Sequence, residues 1–566
     1  MNNNKKFILV TGGVISGIGK GVTASSVGVV SKMLNVTPTA IKIDPYLNVD
    51  AGTMSPFEHG ECFVLDDGGE TDLDLGNYER FLDVSLTNDS NLTTGKVYNK
   101  VIAKERRGEY LGKTVQIIPH ITNEIIEQIM TVSQKPVDEN DVSHSNEPDL
   151  CVIELGGTIG DIESMPFVEA LRQLQVRVKP ENFCIVHVSM VPTIGENDEQ
   201  KTKPTQHSVK ELRSLGLSPD FLVCRSKNVL DSSTKEKLAL FCNVPTEHVL
   251  SSPDLANIYH VPKLMMGQNL HNLLAKRLGL PIFNENNPYK LKWENMVNRI
   301  DNANDEATIA LVGKYTNQLD SYLSIISALK HGCIYTDQKL KLLMVESSHL
   351  EENMITTNPT LYNEAWAAVR SANGILVPGG FGIRGIEGKI KVTKYARENK
   401  IPFLGICLGM QVAVIEYTRS ILNRPLANSR EFVPDIDDDN AAVIFMPEGS
   451  KEQMGGTMRL GSRTTILKPN SIIKELYNNI DKIDERHRHR YEVNPNLTKL
   501  LEEKGLIFSG TDITNERMEV VEIDKKLHPY FIAVQFHPEF KSRPLHPSPV
   551  FYGLLQAVKN YKKYNT

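Results

Sequence analysis

The sequence predicts an α/β protein with two doubly wound domains, and two observations support that prediction. Short, almost continuously apolar runs alternate with helix-length segments in both halves of the chain. Such runs are typical of strands in a parallel sheet that helices cover on both faces. The chain also has 566 residues, which is too many for one hydrophobic core. We therefore expect two to four domains, with a parallel sheet in each half.

Buried strands are predicted at four places in the first half and three in the second. They are KFILVT (6–11), TAIKID (39–44), LCVIEL (150–155), NFCIVHVS (182–189), TIALVG (308–313), GILVPG (374–379) and PFLGIC (402–407). The polar segment 283–305 lies between the two series, and we interpret it as a linker with one helix. Residues 1–282 and 306–566 are then the predicted domains. Two further polar segments, 132–149 and 434–440, are predicted to be loops.

Composition excludes several classes of protein. The formal net charge is −6, so the chain has no general attraction to nucleic acid or to an anionic membrane. The N-terminus has no signal-peptide pattern, and no run of about 18 apolar residues predicts a membrane span. The seven cysteines form no C-x-x-C pair, which argues against a disulfide framework or a zinc cluster. We expect a cytoplasmic protein.

A glycine-rich turn after the first strand has the pattern of a phosphate-binding loop with two changes. In GGVISGIGKG (12–21), Gly19 and Lys20 fit the Walker A pattern. Val14 stands where that pattern has its first glycine, and Gly21 stands where it has Ser or Thr. A helix predicted over 22–34 would present its N-terminal amides to phosphates. The alternative is a tight glycine turn without a ligand.

The missing hydroxyl at Gly21 would leave Mg²⁺ to carboxylates from elsewhere in the chain. Glu154 ends a predicted strand, at the edge where ligands bind parallel sheets, and Asp74 is the second candidate. Lys201 and Lys203 precede a predicted helix and suit a second phosphate chain. Each of these side chains alone also fits a solvated acid or an exposed basic turn.

The sequence GICLG (405–409) has the pattern of a nucleophile elbow with Cys407 in place of Ser. Small residues two positions before and after the nucleophile permit the sharp turn from strand to helix. The amide of Leu408, with one near Gly380, would face a developing oxyanion.

A base for this thiol is predicted in AVQFHPEF (533–540). His537 and Glu539 are two residues apart, which in a strand places both side chains on one face. Glu539 would orient His537, and His537 would activate Cys407. A cysteine or a histidine alone is more often structural, so the prediction depends on their joint occurrence.

These motifs together resemble the CTP synthase family. GGVISGIGKG, KIDPYLN, GTMSP, ETDLDLGNYERF, ELGGTIGDIES and KTKPTQHSVKELR are similar to its P-loop-type synthetase domain. PGGFGIRG, GICLGMQ, ANSREF, MGGTMRLG, RHRHRYEVN and FHPEF are similar to its class I glutamine amidotransferase domain. The synthetase motifs are the more specific, because the others occur in a broad superfamily.

The resemblance implies a C–N ligase of pyrimidine biosynthesis that aminates UTP to CTP with ATP and glutamine. ATP would phosphorylate the uracil 4-oxygen, and ammonia channelled from the glutaminase site would displace the phosphate. Mg²⁺ is implied with ATP, GTP as an allosteric activator and CTP as a feedback inhibitor. The family also assembles as homotetramers, some of which stack into filaments.

The resemblance implies individual roles by motif position. ATP would contact Gly17, Ile18, Gly19, Lys20, Gly21, Val22, Lys42 and Asp74, and Mg²⁺ would bind Asp74 and Glu154. UTP or CTP would contact Ser16, Asp161, Ile162, Glu163, Lys201, Thr202, Lys203, Pro204, Thr205, Gln206 and Lys237. Glutamine would contact Gly380, Leu408, Gly409, Met410, Gln411, Glu431 and Arg490, and the triad would be Cys407, His537 and Glu539. A position matching His59 would gate the ammonia route.

Two other interpretations remain at this stage. An ATP-dependent amidase with both domain types would act on a carboxylate instead, against which KTKPTQ and DPYLNVDAGTMSP argue. A non-catalytic filament protein would have degenerate sites, whereas Lys20, Cys407 and His537 are intact. Residues 135–146 are predicted to form an exposed loop outside both active sites.

Overall fold

The computed structural model describes residues 5–137, 147–195, 198–446 and 458–565. The chain forms two compact units. The first contains the residues up to Ala51 and Asp74–Val297, and the second contains Gly52–Leu73 and Asn298–Thr566. Gly52–Leu73 therefore groups with the second unit although it lies in the first half of the sequence. The domain boundaries predicted from the sequence, at residues 282 and 306, stay a prediction.

The first unit is built on a seven-stranded sheet in which all neighbouring strands are parallel. In chain order the strands are β1 (Lys6–Gly12), β2 (Pro38–Asp44), β3 (Asn91–Thr93), β4 (Leu150–Leu155), β5 (Phe183–Met190), β6 (Phe221–Ser226) and β7 (Val249–Pro253). Their spatial order is β7-β6-β5-β1-β4-β2-β3. The central strand β1 is buried beyond its first residue, as its apolar run predicts.

Helices connect these strands. They are Lys20–Lys32, Leu73–Leu82, Thr94–Arg106, Thr122–Val132, Met165–Val178, Lys203–Ser214, Ser232–Cys242, Val261–Gly267, Leu270–Leu278 and Pro288–Asn302. The last of these is the helix predicted in the linker. Its Trp293 is 1% exposed and packs against Phe81 and Tyr259 of the first unit. The predicted linker is thus largely an ordered part of that unit.

The second unit contains a nine-stranded mixed sheet. Its strands are β8 (Asp305–Gly313), β9 (Gln338–Glu346), β10 (Gly374–Val377), β11 (Phe403–Ile406), β12 (Arg459–Leu467), β13 (Lys482–His489), β14 (Ile507–Asp512), β15 (Met518–Glu522) and β16 (Phe531–Val534). In the order β9-β8-β10-β11-β16-β15-β14-β12-β13, the first five are parallel and the rest pair antiparallel. The antiparallel extension was not predicted, because strands such as β12 alternate in burial and lack a continuous apolar run.

The second unit also contains helices. They are Pro56–His59, Leu323–Thr336, Met354–Thr357, Pro359–Ser371, Ile386–Glu398, Leu408–Ser420, Ile472–Leu476, Pro495–Glu503 and Pro549–Asn565. Successive residues of β10, Leu376 and Val377, belong to two different apolar clusters. Because adjacent strand residues point to opposite faces, both faces of this sheet are covered. The predicted doubly wound α/β class is confirmed.

Three further sequence predictions concern loops and membrane spans. Residues 434–440 contain turns and no helix or strand, as predicted. Of the predicted loop 135–146, only 135–137 belong to the described residues, and positions 454–457 of the MGGTMRLG motif also lie outside them. Within the described ranges, no helix combines the length and apolarity needed to cross a membrane.

Candidate active sites

The glycine loop after β1 has a strained backbone. Gly17 and Gly19 have φ values of 69° and 91°, and Val14 has a φ of 79°. A β-branched residue in this conformation is a genuine outlier that costs on the order of 1–3 kcal/mol. Val14 thus has a glycine-like backbone conformation at the position where a Walker A loop has its first glycine.

Lys20 begins the helix that follows this loop, and its stem crosses Gly12. A Cβ on Gly12 would lie 2.6 Å from Lys20 Cδ, so only glycine leaves room. Lys20 Nζ donates a hydrogen bond of 2.6 Å to the carbonyl of Gly157, which follows the neighbouring strand β4. Burial lowers the pKa of Lys20, while the charge of Glu154 opposes that shift.

The two predicted carboxylates meet at Gly21. A Cβ on Gly21 would lie 2.9 Å from Asp74 Oδ1 and 3.4 Å from Glu154 Oε2. These carboxylates therefore occupy the space that a Ser or Thr side chain would fill in an ordinary loop. This arrangement explains physically why the position after Lys20 is glycine.

Lys42 joins the same carboxylates from β2. Its Nζ donates to Asp74 Oδ2 and, at 3.0 Å, to Glu154 Oε1, and it lies 3.8 Å from Asp44 Oδ1. Burial lowers the pKa of Lys42, but the three acids outweigh burial and raise it well above its usual value. Lys42 is therefore an ammonium. Sequence reasoning missed Asp44 and also Tyr78, whose hydroxyl donates to Glu154 Oε2.

These carboxylates fit a magnesium ion that arrives with a nucleotide. Within the part of the chain that the structure describes, no group of three or more His, Cys, Asp or Glu side chains has metal-binding geometry. Mg²⁺, however, commonly uses one or two protein carboxylates and completes its shell with water and substrate phosphates. Asp74 and Glu154 meet that requirement, because an oxygen of each faces Gly21 in the loop.

The loop after β4 and the helix Lys203–Ser214 both contact the glycine loop. The amide of Ile159 donates to the Gly12 carbonyl at 2.9 Å. A Cβ on Gly13 would lie 1.5 Å from Ser208 Oγ, so a glycine is required where this helix crosses. The predicted UTP segment therefore begins a helix that packs directly on the predicted ATP loop.

The remaining residues of the predicted UTP site are less closely gathered. Lys201 Nζ lies 2.6 Å from Glu199 Oε1, and the hydrogen bond and charge of Lys201, with the charge of Lys237, lower the pKa of Glu199. Asp161 accepts hydrogen bonds of 2.7 Å from the amide and hydroxyl of Thr158. Five of the predicted residues are instead exposed, namely Ser16, Ile162, Glu163, Lys203 and Lys237. That they share one binding site stays a prediction.

Sequence reasoning also missed Arg225 at the end of β6. A Cβ on Gly19 would lie 3.7 Å from Arg225 Nε. The guanidinium is held by the carbonyls of Ser252 and Pro253, at 2.9 and 3.1 Å from Nη1. The available signal was a basic residue at the carboxyl end of a buried strand, where ligands of parallel sheets bind.

The nucleophile elbow predicted in the second half is present. Cys407 has φ 51° and ψ −102° and immediately precedes the helix Leu408–Ser420. A Cβ on Gly409 would lie 2.1 Å from the Val377 carbonyl oxygen, and one on Gly405 would lie 2.8 Å from the Gly409 backbone. Both glycines are therefore required for the turn. The first amides of the helix, beginning with Leu408, have no acceptor within it.

His537 and Glu539 pair beside this elbow. His537 Nδ1 and Glu539 Oε1 are 2.7 Å apart, and a Cβ on Gly379 would lie 3.0 Å from His537 Cε1 and 3.5 Å from Cys407 Cβ. Burial alone lowers the pKa of His537, but the negative charges of Glu539 and Cys407 outweigh burial and raise it. The arrangement favours a protonated His537 beside the sulfur of Cys407.

The prediction that His537 and Glu539 lie on one face of a strand is wrong. β16 ends at Val534, so His537 and Glu539 lie in the turn beyond it and not on one face of a strand. The spacing brings them together because the turn folds back, with the Phe540 amide donating to the His537 carbonyl at 3.3 Å.

A cavity of about 380 Å³ opens beside Cys407. Its lining residues are Gly380, Phe381, Gly382, Cys407, Leu408, Gln411, Glu431, Phe445, His489, Arg490 and Tyr491. Five of the seven predicted glutamine contacts are among them, whereas Gly409 and Met410 are not. Met410 is fully buried. Phe445, His489 and Tyr491 were not predicted as contacts, although His489 and Tyr491 lie in the motif RHRHRYEVN.

This cavity combines opposite charges beside the nucleophile. Glu431 accepts a hydrogen bond of 2.9 Å from the Gly382 amide, and burial raises its pKa. Arg490 lines the same cavity and contributes the opposite charge. A carboxylate and a guanidinium together complement the ammonium and carboxylate of a free amino acid.

A second cavity, of about 410 Å³, also reaches Cys407. It shares Gly380, Phe381, Cys407 and Arg490 with the first cavity and contains His537, Glu539 and Cys62. The thiol of Cys407, the predicted nucleophile, therefore borders two cavities, one of which contains most of the predicted glutamine contacts.

Comparisons with known proteins agree with this arrangement. A family model described as CTP synthase N-terminus matches residues 6–280, and one described as glutamine amidotransferase class-I matches 317–557. CTP synthase 1 of Danio rerio is 58% identical over 98% of this chain and 92% of that protein. CTP synthase 1 of Homo sapiens is 56% identical over 98% of this chain and 92% of that protein. CTP synthase 1 of Saccharomyces cerevisiae is 54% identical over 98% of this chain and 96% of that protein.

Among solved structures, the glutaminase domain of Trypanosoma brucei CTPS with bound acivicin is also similar. It is 37% identical, and the match covers 45% of this chain and 94% of that one with a TM-score of 0.41.

Proposed function

This chain belongs to the CTP synthase family and makes CTP from UTP with ATP and glutamine, and we propose how its residues divide that reaction between two sites. The observation that supports this division is that each set of reactive side chains lies within one compact unit. Lys20, Lys42, Asp74 and Glu154 belong to the first, and the triad of Cys407 belongs to the second.

In the first site, the glycine loop would hold the ATP phosphates through backbone amides. Phosphoryl transfer to the uracil 4-oxygen depends mainly on positioning and on neutralising charge. Lys20 would stabilise charge on the transferring phosphoryl group, and Lys42 would hold Asp74 and Glu154 in place. Those two carboxylates would bind Mg²⁺, which supplies further neutralisation of the phosphates when bound.

UTP would lie along the helix Lys203–Ser214, with Lys201 and Lys237 near its phosphates. The contact of Ser208 with Gly13 supports this placement, because it puts the UTP segment directly against the ATP loop. CTP, acting as a feedback inhibitor, would bind at the neighbouring segment Asp161–Glu163.

In the second site, glutamine would place its ammonium at Glu431 and its carboxylate at Arg490. The thiolate of Cys407 would attack the side-chain amide, and the amide of Leu408 with one from the loop around Gly380 would stabilise the oxyanion. Protonated His537, oriented by Glu539, would give its proton to the departing ammonia. Water would then release glutamate from the sulfur.

Ammonia must reach the phosphorylated UTP without equilibrating with bulk water, since protonated ammonium is not a nucleophile. The second cavity, of about 410 Å³, also reaches Cys407 and would receive the ammonia, and His59 would act as a gate. We also infer activation by GTP, assembly into homotetramers that can form filaments, and a cytoplasmic location. These inferences depend on the family resemblance.

The direct test is incubation with UTP, ATP, Mg²⁺ and glutamine. CTP and glutamate should form in equal amounts, and omission of UTP or ATP should abolish CTP. Glutamate formation without CTP, together with amidation of a carboxylate substrate, would favour the carboxylate amidase instead. Absence of any turnover in a folded sample would favour the non-catalytic filament protein.

A further inference from the structure

Two lysines that the proposed mechanism does not use are buried beneath the loop 378–382, which lines both cavities. Lys389, on the helix Ile386–Glu398, is 0% exposed, and Lys314, directly after β8, is 2% exposed. Burying a lysine is costly unless its amine makes specific hydrogen bonds. Both amines bond carbonyls of this one loop.

Lys389 holds the part of the loop nearest the nucleophile. Its Nζ donates to the Pro378 carbonyl at 3.1 Å, and burial lowers its pKa well below the usual value. In a trans peptide the carbonyl and the next amide point in opposite directions. Holding the Pro378 carbonyl therefore fixes the direction of the Gly379 amide, and Gly379 adjoins both Cys407 and His537.

Lys314 holds the part of the loop nearest the predicted glutamine ammonium site. Its Nζ donates to the Phe381 carbonyl at 3.0 Å and also to the Gly382 carbonyl. Because the Phe381 carbonyl faces Lys314, the Gly382 amide of the same peptide points away from Lys314. This amide donates to Glu431 at 2.9 Å. The Lys314 stem also lies 3.6 Å from a Cβ position on Gly380.

We propose that Lys389 and Lys314 are positioning residues with separate effects on glutamine hydrolysis. Lys389 sets the peptide beside Cys407 and so controls turnover, whereas Lys314 sets the Gly382 amide and so controls glutamine binding through Glu431. This inference rests on the proposed glutaminase function of the second site.

A purely structural role makes a different prediction. Methionine matches the length of lysine without its amine, so each variant leaves loop carbonyls without their donor, and either role predicts some loss of stability. A positioning role in addition predicts a loss of glutaminase performance that ammonia-dependent synthesis does not share.

The test compares Lys389→Met, Lys314→Met and Lys314→Arg with wild type and with Lys394→Met, whose half-exposed lysine lies on the same helix as Lys389. Glutamine kcat and KM, ammonia-dependent CTP synthesis and the thermal midpoint are measured for each. Lys389→Met should lower kcat about 10- to 100-fold with little change in KM, by analogy with a displaced oxyanion donor. Lys314→Met should raise KM about 10-fold, and Lys314→Arg should recover part of that loss.

All variants should keep ammonia-dependent synthesis, and Lys394→Met should match wild type. An unchanged kcat in Lys389→Met, or equal loss of both activities in step with the thermal midpoint, would overturn the proposal. If Lys389→Met does not fold, Lys389→Gln, which keeps a shorter donor, is assayed by the same criteria. A wild-type enzyme that hydrolyses no glutamine, or a Cys407→Ala variant that still does, would instead refute the proposed function itself.

Discussion

The phosphate loop and the nucleophile elbow are both strand–turn–helix junctions, yet their glycines serve different purposes. At Gly21 the absent side chain leaves room for other side chains, the carboxylates of Asp74 and Glu154. At Gly409 it leaves room for backbone, the Val377 carbonyl. The first junction is thus a place where charges from several strands converge. The second is a device that fixes the geometry of one atom, the sulfur of Cys407.

The electrostatics of the two sites differ accordingly. In the first, Lys42 lies among three acids and stays charged, so the site holds a fixed charge pattern for a charged ligand. In the second, the charge on His537 depends on Glu539 and Cys407, so a proton can move during the reaction. Changes in the first site should therefore affect every nitrogen source, and changes in the second only glutamine.

The largest expected effect is that of Lys20→Ala. Loss of this ammonium should reduce CTP formation by roughly 10³-fold with glutamine and with ammonia alike, because both need the phosphorylated intermediate. CTP is measured with each nitrogen source, and basal glutamine hydrolysis serves as the folding control. Substantial ammonia-dependent synthesis in the variant would show that this loop is not the ATP site.

Glu539→Gln should have the next largest effect and should be confined to glutamine. Without the carboxylate, the pKa of His537 falls, and we expect kcat for glutamine to drop about 10- to 100-fold. Since the pKa of folded His537 is raised, its stabilising effect is complete below the ordinary histidine pKa and is lost as pH rises through the raised value. The stability deficit of the variant should therefore shrink from pH 6 to alkaline pH, as measured by denaturant unfolding. Equal losses with ammonia would contradict this assignment.

Gly21→Ser tests whether CTP synthesis requires glycine at the position after Lys20. The new Cβ would lie 2.9 Å from Asp74 Oδ1 and should displace this carboxylate from Lys42. We expect about a 10-fold fall in CTP synthesis with either nitrogen source, although serine restores the usual loop residue. Gly267→Ser, where no atom lies within 4 Å of the Cβ position and which lies outside both sites, is the control for a serine with space around it. Unchanged or higher activity of Gly21→Ser would mean that Asp74 and Glu154 do not need this space.

The smallest effect is expected from residues 135–146. Replacing them with a short Gly-Ser linker should leave turnover within a few-fold, because their polar composition predicts an exposed loop outside both sites. Steady-state rates with each nitrogen source measure this. A loss comparable to that of Lys20→Ala would place the segment in a catalytic role.

The two sites also differ in how much of them the sequence predicts. The elbow could be predicted almost completely, because its geometry is local and GICLG specifies it. The carboxylate pair was predictable only as two separate candidates, since the contact at Gly21 joins residues from three distant segments. Arg225 belongs to no motif quoted above, and Tyr78 lies in ETDLDLGNYERF without a predicted role, so their contacts could not be predicted from the sequence.

The fold shows the same division. Parallel strands such as β4 were predicted to the residue, because burial on both faces makes them continuously apolar. The antiparallel extension was missed because several of its strands, such as β13 (KIDERHRH), are mostly polar and lack a continuous apolar run. The grouping of Gly52–Leu73 with the second unit was missed as well, since contacts such as that of Asp66 with Arg486, 2.9 Å apart, join residues far apart in sequence.

The central claim, that two separable sites share one reaction, is tested most directly by Cys407→Ala assayed with glutamine and with ammonium salt. Alanine removes the sulfur and leaves the first site untouched. Glutamine hydrolysis and glutamine-dependent CTP synthesis should both vanish. Synthesis from ammonium salt should persist and increase with pH as more of it becomes NH₃. A folded Cys407→Ala protein that still uses glutamine, or that also loses ammonia-dependent synthesis, would refute the division of the reaction between two sites.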